Sequence, residues 1–134
     1  MLTSVVCEEI IAEARDRLRP TTTTATSCHA LKVRRGTIAA RALAELGWPF
    51  LDAQVVRYGP GGGYDWHVDG PGRATTLLVQ LSEPGDYEGG LVEVRGWPEA
   101  PTGRGSAAEW PAQFPHRTTE VTAGERWALV SWRP

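Results

Sequence analysis

The chain has 134 residues, enough for one buried core and too few for two ordinary domains. Hydrophobic residues make up 41% and charged residues 22%, with a net charge of −2, which excludes an electrostatic drive toward nucleic acid or an anionic membrane surface. No apolar run is long enough to span a bilayer, and the stretch from Met1 to Glu9 lacks the basic and apolar regions of a signal peptide, so the expected location is cytoplasmic.

Along the chain, Val6, Ile10, Ala14 and Leu18 recur every fourth residue and predict an amphipathic helix over 5–18. Glu8, Glu9 and Glu13 precede Arg15, Arg17 and Arg19, the favourable order for the helix dipole, and Pro20 ends the element. Residues 21–24 are four threonines, read as a loop or an early strand. An alanine- and leucine-rich segment predicts a second helix over 37–46, closed by Gly47. Cys7 and Cys28 lack metal-ligand spacing; one is expected on a helix and the other in a loop, both as buried, inert thiols.

From Phe50 the texture changes to short apolar or alternating runs broken by glycine and proline. Strands are predicted over 53–58, 64–68, 75–81, 90–95, 115–121 and 126–132. Their length and spacing predict a mainly β fold, an antiparallel barrel or double-sheet jelly roll, with the two helices on the outside of one sheet. Residues 1–49 form a helical flank and 50–134 the core of one domain. The longest irregular stretch, 96–111, is a candidate lid over a substrate.

The chemistry lies in His67-Val68-Asp69, then His116, then Arg126 ten positions further on. On a strand, residues i and i+2 point to one side, so His67 and Asp69 can reach one ion. Two histidines and one carboxylate on one face of a metal leave its other face open, the ligand set of non-haem Fe(II) oxygenases. The arginine adds a fixed cation for a dicarboxylate. The tripeptide alone also fits a solvated strand or turn, so the flanking sequence carries the argument.

The run from Tyr58 to Asp69 places tyrosines nine and three residues before His67, with Gly61 between them. Residues 77–81, the Glu88-Gly89-Gly90 turn within 86–94, and the closing stretch 116–132 with Gly124-Glu125-Arg126 and Trp132 follow in order. Together these resemble the prolyl 4-hydroxylase-like family of 2-oxoglutarate-dependent dioxygenases over about residues 51 to 133. The resemblance implies a double-stranded β-helix, the cupin-like jelly-roll barrel. It implies Fe(II) held by His67, Asp69 and His116, with 2-oxoglutarate and O2 filling the open positions and ascorbate as reductant. It implies hydroxylation of an unactivated C–H bond with release of succinate and CO2. It implies that Arg126 grips the distal carboxylate of 2-oxoglutarate, where many prolyl hydroxylases carry lysine, and that Tyr58 donates its phenol to the same group. Tyr64 corresponds to a position facing the substrate.

Arg57, Arg73 and Arg117 fall in or beside these motifs and either select an anionic substrate or are solvated strand-end charges; Arg73 is the substrate candidate. Trp66 should point away from the site into a packing layer, and Trp127 and Trp132 are expected in the core. Thr76 and Gln80 are candidate cosubstrate contacts, Ser131 either faces the distal carboxylate or fills space, and His29 is non-ligating. A halogenase leaves the carboxylate position to chloride, and Asp69 fills it. A nucleic-acid demethylase usually has a second arginine six residues after the first, where Trp132 stands here. The expected substrate is a free amino acid or short peptide, with proline favoured by analogy. The reading from another class is a non-catalytic iron or 2-oxoglutarate sensor. Oligomeric state is not encoded in any of these motifs.

Overall fold

A computed structural model describes residues 1–23, 26–48 and 52–134. The predicted boundary at Phe50 and the last residue of the threonine run, Thr24, lie outside the described residues. In chain order come α1 (Ser4–Ala14), a 3-10 turn (Arg15–Arg17), β1 (Arg19–Thr22), β2 (Thr26–Lys32), α2 (Ile38–Glu45), β3 (Asp52–Tyr58), β4 (Gly63–His67) and β5 (Thr75–Gln80). A second 3-10 turn (Pro84–Asp86) leads to β6 (Tyr87–Gly89), β7 (Val92–Val94), β8 (Ala107–Pro111), β9 (His116–Thr118), β10 (Val121–Gly124) and β11 (Arg126–Arg133).

Helix α1 starts at a Thr3 cap, whose hydroxyl accepts from the Val6 N–H at 3.2 Å. It ends at Ala14, short of the predicted residue 18, because the chain must be extended before Pro20 and tightens into the 3-10 turn first. Pro20 itself lies in β1, which among the described residues pairs only with β2, an edge position where a missing N–H is tolerated. Helix α2 is capped by Thr37 and closed by Gly47 at φ +71°. Glu13 of α1 accepts from the Ile38 N–H at 3.0 Å, so this carboxylate serves the N-terminus of α2 rather than its own helix.

The strands form one antiparallel sheet in the order β7-β9-β4-β2-β3-β11-β5-β8, with β1 beside β2, and a separate β6–β10 ribbon. The sheet rolls into the expected jelly-roll barrel, and strand alternation divides its residues between two apolar clusters. Ala53, Val55, Leu77, Val79, Trp127 and Leu129 face Cys7 and Ile10 of α1 and Leu43 of α2. The alternate positions Val56, Tyr58, Leu78 and Ala128 face inward with Cys28, Trp110 and Val121. The helices therefore close the outside of one sheet, and the inside is left for a cavity.

Several predicted boundaries need correction. Residues 26–32 form β2, so Cys28 lies on a strand and not in a loop. The predicted strand 115–121 divides into β9, which pairs with β4 and β7, and β10, which pairs with β6. The predicted strand 90–95 begins only at Val92, because Gly89 and Gly90 turn the chain at φ +77° and +62°. The last part of the candidate lid 96–111 is β8, paired along β5 with Trp110 buried, so at most residues 96–106 are irregular.

Candidate metal and cosubstrate site

His67 ends β4 and His116 begins β9, and the two lie directly opposite in register, with ring centroids 4.2 Å apart. The Nδ1 of His67 lies 2.7 Å from the Asp65 carbonyl, and that of His116 lies 2.8 Å from the Phe114 carbonyl. These backbone acceptors hold the rings so that each Nε2 faces Asp69, at 3.7 Å from Oδ1 for His67 and 3.3 Å from Oδ2 for His116. The ligand atoms of His67, Asp69 and His116 all lie within 4.8 Å of one another. Burial lowers the His67 pKa, which favours the neutral, ligating imidazole.

Asp69 reaches this cluster by a route that strand periodicity does not describe. Strand β4 stops at His67, and Asp69 sits in the following segment, where its N–H donates to the Ala112 carbonyl at 3.0 Å. Its Oδ2 accepts from Trp132 Nε1 at 2.9 Å and from the Thr76 hydroxyl. Burial alone would raise its carboxyl pKa, but hydrogen bonds from His116, Thr76 and Trp132 outweigh this and hold it below the ordinary carboxylate range.

The triad opens onto a cavity of about 240 Å³ whose apolar wall includes Cys28, Val56, Leu78, Val92 and Trp110. Arg126 lines the same cavity from the start of β11 and is 2% exposed. Its Nε has no hydrogen-bond partner, and no carboxylate among the described residues pairs with its guanidinium. Tyr58 lies opposite Arg126 in register, and the guanidinium carbon is 5.8 Å from its ring centre. Burial pushes the Tyr58 phenol up to about 12, so it is a protonated donor at neutral pH. Three larger grooves of about 590, 480 and 380 Å³ are shallow surface features that contain none of the three candidate ligands.

Other expected residues divide between the cavity and elsewhere. Tyr64 lines the cavity and stacks on the His67 ring at 3.7 Å. Arg73 lines it too, with Nη2 2.5 Å from Asp52 Oδ2 and its guanidinium 3.8 Å from the Trp132 ring centre. Arg57 faces Glu125 and Trp127, and Arg117 faces Glu93 and Trp66, so neither lines the cavity. Trp66 is 36% exposed on the outer face, where Arg95 and Arg117 lie over its ring, instead of in a packed layer. Gln80 bonds to the Tyr87 hydroxyl at 2.8 Å away from the cavity lining. Ser131 points toward the helical side, between Trp48 Nε1 and the Asp52 carbonyl. His29 stands outside the ligand cluster. Thr26, Cys28 and Trp110 line the cavity without having been expected there, because β2 and β8 were not recognised as strands; Thr118, on β9, lines it as well.

A jelly-roll barrel holding two histidines, one carboxylate and a buried arginine with no carboxylate partner among the described residues, all around one cavity, fits the class of non-haem iron oxygenases that use a dicarboxylate cosubstrate. The model of the 2OG-Fe(II) oxygenase superfamily matches residues 53–133, and the chain belongs to that family. A PKHD-type hydroxylase of Picosynechococcus sp. is 34% identical over 84 residues, covering 57% of this chain and 38% of that protein. A PKHD-type hydroxylase of Nitrobacter winogradskyi is 32% identical over 113 residues, covering 74% of this chain and 50% of that protein. The chain thus spans half or less of the length of these curated relatives. A Pseudomonas putida prolyl-4-hydroxylase has the same fold, with a TM-score of 0.81 at 19% identity over 99% of this chain and 89% of that one.

Proposed function

We propose that this chain is a 2-oxoglutarate-dependent hydroxylase. It binds Fe(II) through His67, Asp69 and His116, and it oxidises an unactivated C–H bond of a free amino acid or short peptide with release of succinate and CO2. The observation that carries this reading is Arg126, a buried guanidinium without a carboxylate partner among the described residues, in the cavity that the three candidate metal-ligand side chains face. A buried charge is costly unless something pairs with it, and a dicarboxylate supplies that pair.

The metal and cosubstrate would together supply the oxidising power. The protein's own part is placement. Arg126 offers two parallel N–H groups to the distal carboxylate, and Tyr58 adds a neutral donor beside it. Thr76 and Trp132 hold Asp69 in its ligating orientation. The apolar wall keeps bulk water from the reacting centre. A cavity of about 240 Å³ leaves room beside the cosubstrate for a group of side-chain size, which supports a small substrate or one residue of a peptide. Tyr64 and Arg73, at the cavity wall, are the proposed substrate contacts. A prolyl ring is favoured by analogy with the prolyl-4-hydroxylase neighbour. Ascorbate is the proposed reductant and the cytoplasm the proposed location; no helix among the described residues is long and apolar enough to cross a membrane.

The test is succinate formation from 2-oxoglutarate with Fe(II), ascorbate and O2 across free amino acids and short proline-containing peptides. Stimulation by one of them, with a product heavier by one oxygen atom, supports the hydroxylase. Absence of any 2-oxoglutarate decarboxylation by folded, iron-loaded protein contradicts it and favours a sensor.

A further inference from the structure

Among the described residues, two side-chain polar atoms are buried without a hydrogen-bond partner, Nε of Arg126 and Nε1 of Trp110, and both residues line the same cavity. The first is accounted for by the distal carboxylate of the cosubstrate. The second is not. Trp110 lies on β8 opposite Thr76 in register and is 3% exposed. Its ring meets that of His116 edge-on, with centroids 5.2 Å apart and planes at 61°. Thr76 in turn donates to Asp69, so Trp110 stands beside two of the three metal-ligand side chains. The Asp69 Oδ2 already accepts from Thr76 and Trp132, which leaves the Trp110 N–H to another acceptor.

Folded proteins seldom keep a buried donor unpaired unless a ligand or ordered water completes it. A phenylalanine would pack on His116 without creating that need, whereas tryptophan adds a donor inside the cavity wall. We propose that Trp110 is a positioning residue for the metal-bound end of 2-oxoglutarate, its indole N–H donating to an oxygen of the C1 carboxylate. This rests on the reading of the cavity as the metal and cosubstrate site. The two unpaired donors then serve the two ends of one dicarboxylate, Arg126 the distal end and Trp110 the proximal one.

Indole N–H signals of 15N-labelled protein test this directly, since the six tryptophans give separate reporters. Triple-resonance assignment keeps the wild-type measurement independent of any variant. Zn(II) serves as a redox-silent metal, and 2-oxoglutarate is then added. The Trp110 signal is expected to move downfield on addition of 2-oxoglutarate. Trp110→Phe is expected to weaken 2-oxoglutarate binding roughly three- to ten-fold, the range for one hydrogen bond, with Zn(II) affinity unchanged. If the Trp132 signal, which reports on Asp69, responds while that of Trp110 stays still, the assignment of Trp110 is overturned and the metal and cosubstrate reading stands. Unchanged 2-oxoglutarate affinity in a folded Trp110→Phe protein overturns it equally. If neither indole responds to metal or 2-oxoglutarate, both readings fall.

Discussion

Trp132 donates its indole N–H to Oδ2 of Asp69 over 2.9 Å, from the end of the inward face of β11 to the carboxylate beside the two histidines. Thr76 donates to the same oxygen. With two donors on Oδ2, Oδ1 is the freer atom, through which Asp69 would hold a metal. Groups that orient a ligand in this way are typically worth about 10- to 100-fold in metal affinity. Trp132→Phe should keep the fold and weaken Fe(II) or Zn(II) binding by roughly 10-fold, as read by competition with a chromophoric chelator. Wild-type affinity in that variant would mean that Asp69 is oriented by other contacts.

Arg126 is predicted to trade stability for binding. Nε of its buried guanidinium has no hydrogen-bond partner, and no carboxylate among the described residues pairs with it. Arg126→Met removes an unpaired buried charge and keeps most of the volume, so thermal stability of the ligand-free protein should rise by about 1–3 kcal/mol. Affinity for 2-oxoglutarate should fall by about 100-fold or more with the loss of a bidentate charged pair. Calorimetric unfolding and 2-oxoglutarate titration of the same preparation check both halves.

The Glu-Gly-Gly turn bears on Arg126 through packing. A Cβ on Gly90 would stand 3.0 Å from Cδ of Arg126 and 3.0 Å from Cγ2 of Val121, at a backbone φ of +62°. Gly90→Ala should therefore destabilise the protein by about 1 kcal/mol or more and weaken 2-oxoglutarate binding by displacing the arginine stem. Denaturant unfolding and cosubstrate titration measure the two effects. Metal affinity should be unchanged, because neither neighbour is a candidate ligand.

Tyr58 makes stability sensitive to alkaline pH. Burial raises its phenol from the ordinary value of 10.0 to about 12. Below pH 10 the phenol is protonated in both folded and unfolded chains, and its contribution is fully present. As pH rises from about 10 through 12, the unfolded chain ionises while the folded one resists, so up to roughly 3 kcal/mol of stability is lost. Urea unfolding across this range should show a steeper decline for wild type than for Tyr58→Phe. Parallel declines would place the loss in other groups.

The order of motifs made the metal triad and Arg126 legible, because each sits in a short segment with its own turn chemistry. His67 and His116 are 49 residues apart in sequence yet share one register pair. Their shared role was implied by resemblance to a family; their register pairing was not, and it is not derivable from spacing. Strand periodicity placed Asp69 on β4, whereas hydrogen bonds from Trp132 and Thr76 to its carboxylate, and from its own N–H to the Ala112 carbonyl, fix it beyond the strand end. Strand β2 was obscured because Ser27, His29 and Lys32 give it no apolar run, even though Thr26 and Cys28 face the cavity. Strand β8 was hidden among prolines and glycines, and with it Trp110. The arginines show the limit of reasoning by proximity in sequence: Arg57 and Arg117 alternate to outward faces, and Arg73 alone of the three reaches the cavity.

The central claim is that His67, Asp69, His116 and Arg126 form one linked site. Anaerobic titration of the protein with Fe(II) and then with 2-oxoglutarate, followed by calorimetry, tests it most directly. One Fe(II) per chain is predicted, with 2-oxoglutarate binding much tighter after iron than before. His67→Ala should lose the iron and with it the tight cosubstrate binding, while Arg126→Met should keep the iron and lose the cosubstrate. Equal 2-oxoglutarate affinity with and without iron, or full iron occupancy in His67→Ala, would contradict the account.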